Sequence, residues 1–174
     1  LKGGLFIFAY TEFSSRPTMD IDFLMKDLSN NQTDMLNVIN EIVNIETAYH
    51  FIDLQVKSIK NITEQKDYHG IRIKMLGAIS NTKTPFDIDI GIGDVIVPHA
   101  ESRRIGVQIS GFESPNILTY SLESTISEKW DAIISRMETT SRMKDYYDIY
   151  YLACHYDFEG KILKDALLNT LIND

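Results

Sequence analysis

The triplet Asp-Ile-Asp occurs twice in this chain, at residues 20–22 and again at 87–89, each time within an alternating run. "DIDFL" places Ile21 and Phe23 against Asp20 and Asp22, and "FDIDIGIGDVIV" places Ile88, Ile90 and Ile92 against Asp87 and Asp89. In a strand, side chains at i and i+2 share a face. Both stretches therefore read as strands with one apolar face for a core and one face of like-charged carboxylates. Like charges side by side are costly unless a cation or a donor lies between them. If the two strands are neighbours, Asp20, Asp22 and Asp89 converge.

Around these strands the chain reads as an α+β domain. "LKGGLFIFAYTEF" is a glycine turn feeding an apolar helix, and "RPTMDIDFL" is a strand with Pro17 at its start, where a missing N–H is tolerated. Leu36, Ile39, Ile42 and Val43 have helical spacing, with Thr33 or Asp34 as the expected N-cap. "FIDLQVKSI" and "HGIRIKMLGAI" are strand candidates, the second alternating Ile71, Ile73 and Met75 against Arg72 and Lys74. Residues 99–116 read as loop with one more strand at "RIGVQIS". From Leu122 the pattern is helical, broken at the polar cluster Glu138–Ser141, and "GKILKDALLNTLIND" closes with a last helix. The expected organisation is a mixed-sheet core flanked by helices over 1–120 and a helical part over 121–174.

Composition narrows the setting. With 44% hydrophobic and 24% charged residues, a folded core is expected and disorder is not. The single cysteine, Cys154, excludes an internal disulfide and a cysteine-based zinc site. No apolar run approaches the roughly 20 residues of a membrane helix, and no signal-peptide pattern opens the chain. The cytoplasm is the expected compartment. A formal net charge of −8 argues against coating nucleic acid, while leaving room for a local basic groove. The apolar opening at Leu1, without Met, reads as a fragment lacking upstream residues.

Three carboxylates within a few ångströms cannot all ionise unless divalent cations hold them. Mg²⁺ suits them, because it takes oxygen ligands and bridges substrate phosphates. Two such ions would stabilise the attacking and leaving oxygens of a phosphoryl or nucleotidyl transfer. Asp87 shares a face with Asp89 and is an alternative ligand, or else an exposed edge residue. Gly3 and Gly4 at a helix mouth could let a phosphate approach oriented backbone N–H groups, although a glycine pair there is also an ordinary turn.

"LKGGLFIFAY" followed by "SRPTMDIDFL" resembles the opening of the AbiEii/AbiGii-type toxins, members of the nucleotidyltransferase superfamily that includes DNA polymerase beta. "YHGIRIKM" resembles that family's Tyr-x-Gly-x-Arg strand, and "FDIDIGIGDVIVP" its Ile-Asp-Ile-x-x-Gly-Asp-x-x-x-Pro strand. "LTYSLESTISEKWDAIISR" and "SRMKDYYDIYYL" are similar to its helical motifs, so the resemblance spans roughly residues 1–153.

The resemblance implies a metal-dependent nucleotidyltransferase (an EC 2.7.7-type enzyme) that moves NMP from an NTP to an acceptor hydroxyl. It implies an RNA acceptor, with the 3′ end of tRNA as one candidate, and a toxin–antitoxin or phage-defence setting with a cognate antitoxin. Asp20 and Asp22 would bind Mg²⁺ (or Mn²⁺) and the triphosphate, and Asp89 would complete the metal site and assist deprotonation of the acceptor. Gly3 and Gly4 would lie against the triphosphate with Lys2 or Arg16 nearby. Lys129 would reach the nucleotide, and Asp148 or Asp145 would orient that lysine or the acceptor. Gly4 stands where many relatives carry serine, so only its backbone could serve.

Other readings compete. A catalytically idle nucleotide- or antitoxin-binding module would keep the same scaffold, and protein AMPylation would differ only in its acceptor. Glu128, Lys129 and Asp131 could form a solvated helix face, with Trp130, Ile133 and Ile134 in the core. Arg142–Asp145 and Lys144–Asp148 could pair along a helix surface. Tyr146, Tyr147, Tyr150, Tyr151 and Tyr156 read as packing residues, and Cys154 as a buried small hydrophobe. The four histidines have no metal-ligand spacing.

Overall fold

The computed structural model describes residues 1–26, 31–62, 70–92, 96–136 and 142–173. Along the chain run α1 (Gly3–Tyr10), β1 (Asp20–Met25), α2 (Gln32–Val43), β2 (Ile52–Ile62), β3 (Gly70–Ile79) and β4 (Thr82–Ile92). There follow β5 (Glu101–Arg104), β6 (Asn116–Thr119), α3 (Leu122–Arg136), α4 (Met143–His155) and α5 (Gly160–Asn173). The fold is α+β, as the alternation predicts. The chain groups into two compact units, Met19–Gly93 and a second made of Leu1–Thr18 with Asp94–Asp174; residue 120 lies inside the latter.

In the Met19–Gly93 unit a four-stranded sheet has the order β1-β4-β3-β2. β1 runs parallel to β4, while β3 is antiparallel to both β4 and β2. The register stacks Ile71 on Ile90 and Ile73 on Ile88, and sets Phe23 beside Ile90. α2 covers this apolar face with Met35 and Ile39. Val56 and Ile59 on β2 both pack against the same core, although three residues apart would ordinarily put them on opposite faces. The register shift between Val56 and Ser58 supplies the extra residue that restores the phase.

α2 starts two or three residues earlier than its apolar spacing suggests. Its N-cap is Asn31, whose side-chain oxygen accepts a hydrogen bond from the Thr33 backbone N–H at 2.9 Å, so neither Thr33 nor Asp34 caps it. Pro17 does not open β1: Thr18 and Met19 lie between it and the first strand residue, Asp20.

In the other unit, α3 packs on α5, where the buried Ser127 hydroxyl bonds to the Ala166 carbonyl at 2.9 Å and to Thr170 Oγ1 at 2.6 Å. Phe6 and Ile7 of α1, Ile126 and Ile133 of α3, and Leu152 of α4 are buried. β5 and β6 form an antiparallel pair. The strand expected at "RIGVQIS" is therefore placed differently: only Arg104 of that stretch is extended in β5, and its partner is Asn116–Thr119. The expected helix break at 138–141, Tyr68 of the Tyr-x-Gly-x-Arg pattern, and Gly93 and Asp94 lie outside the described residues.

Ile73 is fully buried at the centre of the sheet. Ile73→Ala should lower unfolding free energy by about 2–5 kcal/mol, the usual cost of emptying such a site, as read from urea denaturation.

Candidate functional site

In the Met19–Gly93 unit Ile71, Ile73, Ile88 and Ile90 pack against the α2 side, and the aspartates that alternate with Ile88 on β4 face the other way. Parallel pairing places Asp20 beside Asp87 and Asp22 beside Asp89, so four carboxylates share one face of two neighbouring strands. β3 continues that face with Arg72 opposite Asp89 and Lys74 opposite Asp87. Arg72 grips Asp89 with both prongs, Nε to Oδ1 at 2.7 Å and one terminal nitrogen to Oδ2 at 2.6 Å, and lies 4.0 Å from Asp87. Bidentate pairing of this kind is both strong and geometrically selective.

As a donor set, Asp20, Asp22 and Asp89 suit a hard divalent cation: all are carboxylates, on adjacent strands, on one face. Among the described residues no group of three or more His, Cys, Asp or Glu stands close enough to hold a metal ion as arranged. The Asp89 carboxylate is turned to Arg72.

The other unit gathers a buried ionic group. Asp148 on α4 is 1% exposed and receives Arg16 through Nε at 2.7 Å and a terminal nitrogen at 2.5 Å. Lys129 on α3, also buried, reaches Asp148 at 2.7 Å and Asp145 at 2.8 Å. Arg142, the N-cap residue of α4, adds a contact to Asp145 at 3.1 Å. Three cations thus face two carboxylates. Burial alone would raise the Asp145 pKa, but Lys129 and then Arg142 outweigh it and hold the carboxyl below its ordinary range.

In the same unit the glycines of α1 have separate reasons to be glycine. Gly3 has a φ of +66°, a backbone that L side chains rarely adopt. A Cβ on Gly4 would stand 3.2 Å from the Thr18 hydroxyl and 3.5 Å from the Arg16 guanidinium, so Gly4 permits a close approach. Lys2 is buried and donates to Glu128 at 2.7 Å.

The model of the nucleotidyl transferase AbiEii toxin family, a type IV toxin–antitoxin system, matches residues 1–174. The chain belongs to the AbiEii family. Two solved structures from Helicobacter pylori are similar to this AbiEii chain. One is a candidate nucleotidyltransferase, with TM-score 0.51 and 18% identity, covering 99% of this chain and 72% of its own. The other is JHP933, with TM-score 0.49 and 16% identity, covering 91% of this chain. This chain spans 64% of the length of JHP933. No curated protein matches the sequence at a significant level. No described helix is long and apolar enough to cross a membrane.

Several residues of the AbiEii chain behave otherwise than the sequence suggests. Lys129 is not on a solvated face: it is 8% exposed, while its neighbour Trp130 is 45% exposed. Asp148 pairs with Arg16 and Lys129, the latter on another helix, where a surface pair with Lys144 was one expectation. Cys154 is exposed. Tyr146, Tyr147 and Tyr150 are exposed as well, and Tyr147, Tyr151 and His155 stack in sequence along α4, with ring centroids 6.0 and 4.2 Å apart. Arg72 and Thr18 were missed as site neighbours. Arg72 was detectable, since it alternates with the isoleucines on the polar side of its strand.

Asp148→Asn leaves Arg16 and Lys129 facing one carboxylate fewer in a buried setting. It should cost about 3–5 kcal/mol of stability, measured by urea denaturation. Asp145 has a lowered folded-state pKa, so its stabilisation is present above the ordinary carboxylate range and fades as pH falls through the lowered value. Asp145→Asn should therefore flatten the acid limb of a stability-versus-pH curve below about pH 4.

Proposed function

We propose that this AbiEii-family chain is a divalent-metal-dependent nucleotidyltransferase moving a nucleoside monophosphate from an NTP to an acceptor hydroxyl. The observation that carries the reading is the register of the parallel pair, which sets Asp22 beside Asp89 with Asp20 on the same face. Asp20, Asp22 and Asp89 are the residues that would hold Mg²⁺ or Mn²⁺. When bound, the metal supplies charge stabilisation for the attacking and leaving oxygens. Asp89 takes the proton of the acceptor hydroxyl on a carboxylate oxygen. The acceptor oxygen then bonds to the α-phosphorus as the α–β bridging bond breaks, and pyrophosphate leaves.

Gly3, Gly4 and Arg16 are assigned to the triphosphate, and Lys129 to the nucleotide. Asp148 and Asp145 act on Lys129 as positioning residues, since both carboxylates contact its ammonium. Alignment and electrostatics do most of the work in such transfers. The acceptor we assign is RNA, with the 3′ end of tRNA as the specific candidate. A cognate antitoxin and a cytoplasmic, phage-defence setting complete the reading.

A second reading, an idle nucleotide- or antitoxin-binding module, is favoured by one observation: both oxygens of Asp89 are engaged by Arg72. Incorporation of labelled NTP into an RNA pool separates the two. The transferase reading expects label in RNA, reduced at least about 10²-fold by Asp20→Asn or Asp89→Asn with unchanged circular dichroism. Nucleotide binding without label transfer would support the idle module, and full activity in the Asp20 variant would sink the metal assignment.

A further inference from the structure

On the carboxylate face of the sheet, Asp89 already has an occupant. The Arg72 guanidinium takes Oδ1 at 2.7 Å and Oδ2 at 2.6 Å and approaches Asp87 to 4.0 Å. These are the oxygens that a hard cation would take. A planar fork and a metal ion cannot both use one carboxylate in full. The pair also lies toward solvent, with the Arg72 side chain 41% exposed and that of Asp89 17% exposed. Ion pairs so placed are weak enough to be exchanged, unlike a pair sealed in a core.

From this we infer that Arg72 is a placeholder for the cation at Asp89. Without metal, its charge lies against Asp89 and Asp87, which the register sets beside Asp22 and Asp20 on the neighbouring strand. Metal entry displaces the guanidinium from Asp89, so the two compete for one carboxylate. Arg72 is in this sense a positioning residue: it presets the orientation of Asp89 and sets the cation concentration at which the site fills. The inference rests on the metal-dependent reading proposed above.

The test is Mn²⁺ binding to the whole chain without nucleotide, followed by electron paramagnetic resonance of the free aqua ion. Arg72→Gln should tighten Mn²⁺ binding by about fivefold, the upper range for releasing a partly exposed pair. Arg72→Lys, which keeps the charge and loses the fork, should tighten it less. Adding Asp89→Asn to Arg72→Gln should cancel the gain. If Arg72→Gln does not fold, as judged by circular dichroism, Arg72→Lys decides in its place. Unchanged or weaker Mn²⁺ binding in the Arg72 variants, with binding still abolished by Asp22→Asn, overturns the placeholder role and leaves the metal site standing. No Mn²⁺ bound by any of these proteins overturns both.

Discussion

The parallel ladder between β1 and β4 aligns Asp20 and Asp22 with Asp87 and Asp89, while Phe23 and Ile90 meet on the opposite side. A slip of one residue would reverse every side chain on the slipped strand, burying its carboxylates and exposing its apolar residues. The buried cluster of Ile71, Ile73, Met75 and Ile90 under Met35 and Ile39 makes that slip expensive. The hydrophobic core thus fixes the position of charges that would otherwise repel one another apart. Arg72, projecting from the adjoining strand, offsets part of that repulsion.

A different balance holds in the unit built on α1 and the later helices. There Lys129, Asp145 and Asp148 are buried, and the partly exposed Arg16 and Arg142 flank them. Arg16 and Lys129 converge on Asp148, while Lys129 and Arg142 converge on Asp145. Removing one member strands the others in a poorly solvated place. Such a group holds the Lys129 ammonium between two carboxylates, Asp145 and Asp148.

Much of this was legible from local pattern. The strict alternation in "DIDFL" and "FDIDIGI" identified both strands and their faces, because a period of two survives any tertiary context that buries one side. The order of motifs identified the family. Other features depend on distant partners. Nothing near Asp148 in sequence points to Arg16, which lies 132 residues away. Lys129 and Trp130 exchange their expected places because α3 must pack on both α4 and α5, so its interior side is wider than a simple apolar stripe. The cap of α2 was misplaced by the presence of several good capping residues in a row, of which Asn31 is the one with extended backbone. Cys154 and the α4 tyrosines follow the same lesson: aromatic and small residues on a helix pack only where a neighbouring element reaches them.

The proposed transferase activity requires a divalent cation on the sheet face shared by β1 and β4. A crystal structure of the chain with Mg²⁺ and a non-hydrolysable NTP tests it most directly. Oxygens of Asp20, Asp22 and Asp89 should lie at about 2.0–2.1 Å from the bound metal, with Arg72 withdrawn from Asp89. Nucleotide bound elsewhere, with the Arg72–Asp89 fork intact and no metal on these carboxylates, would contradict it.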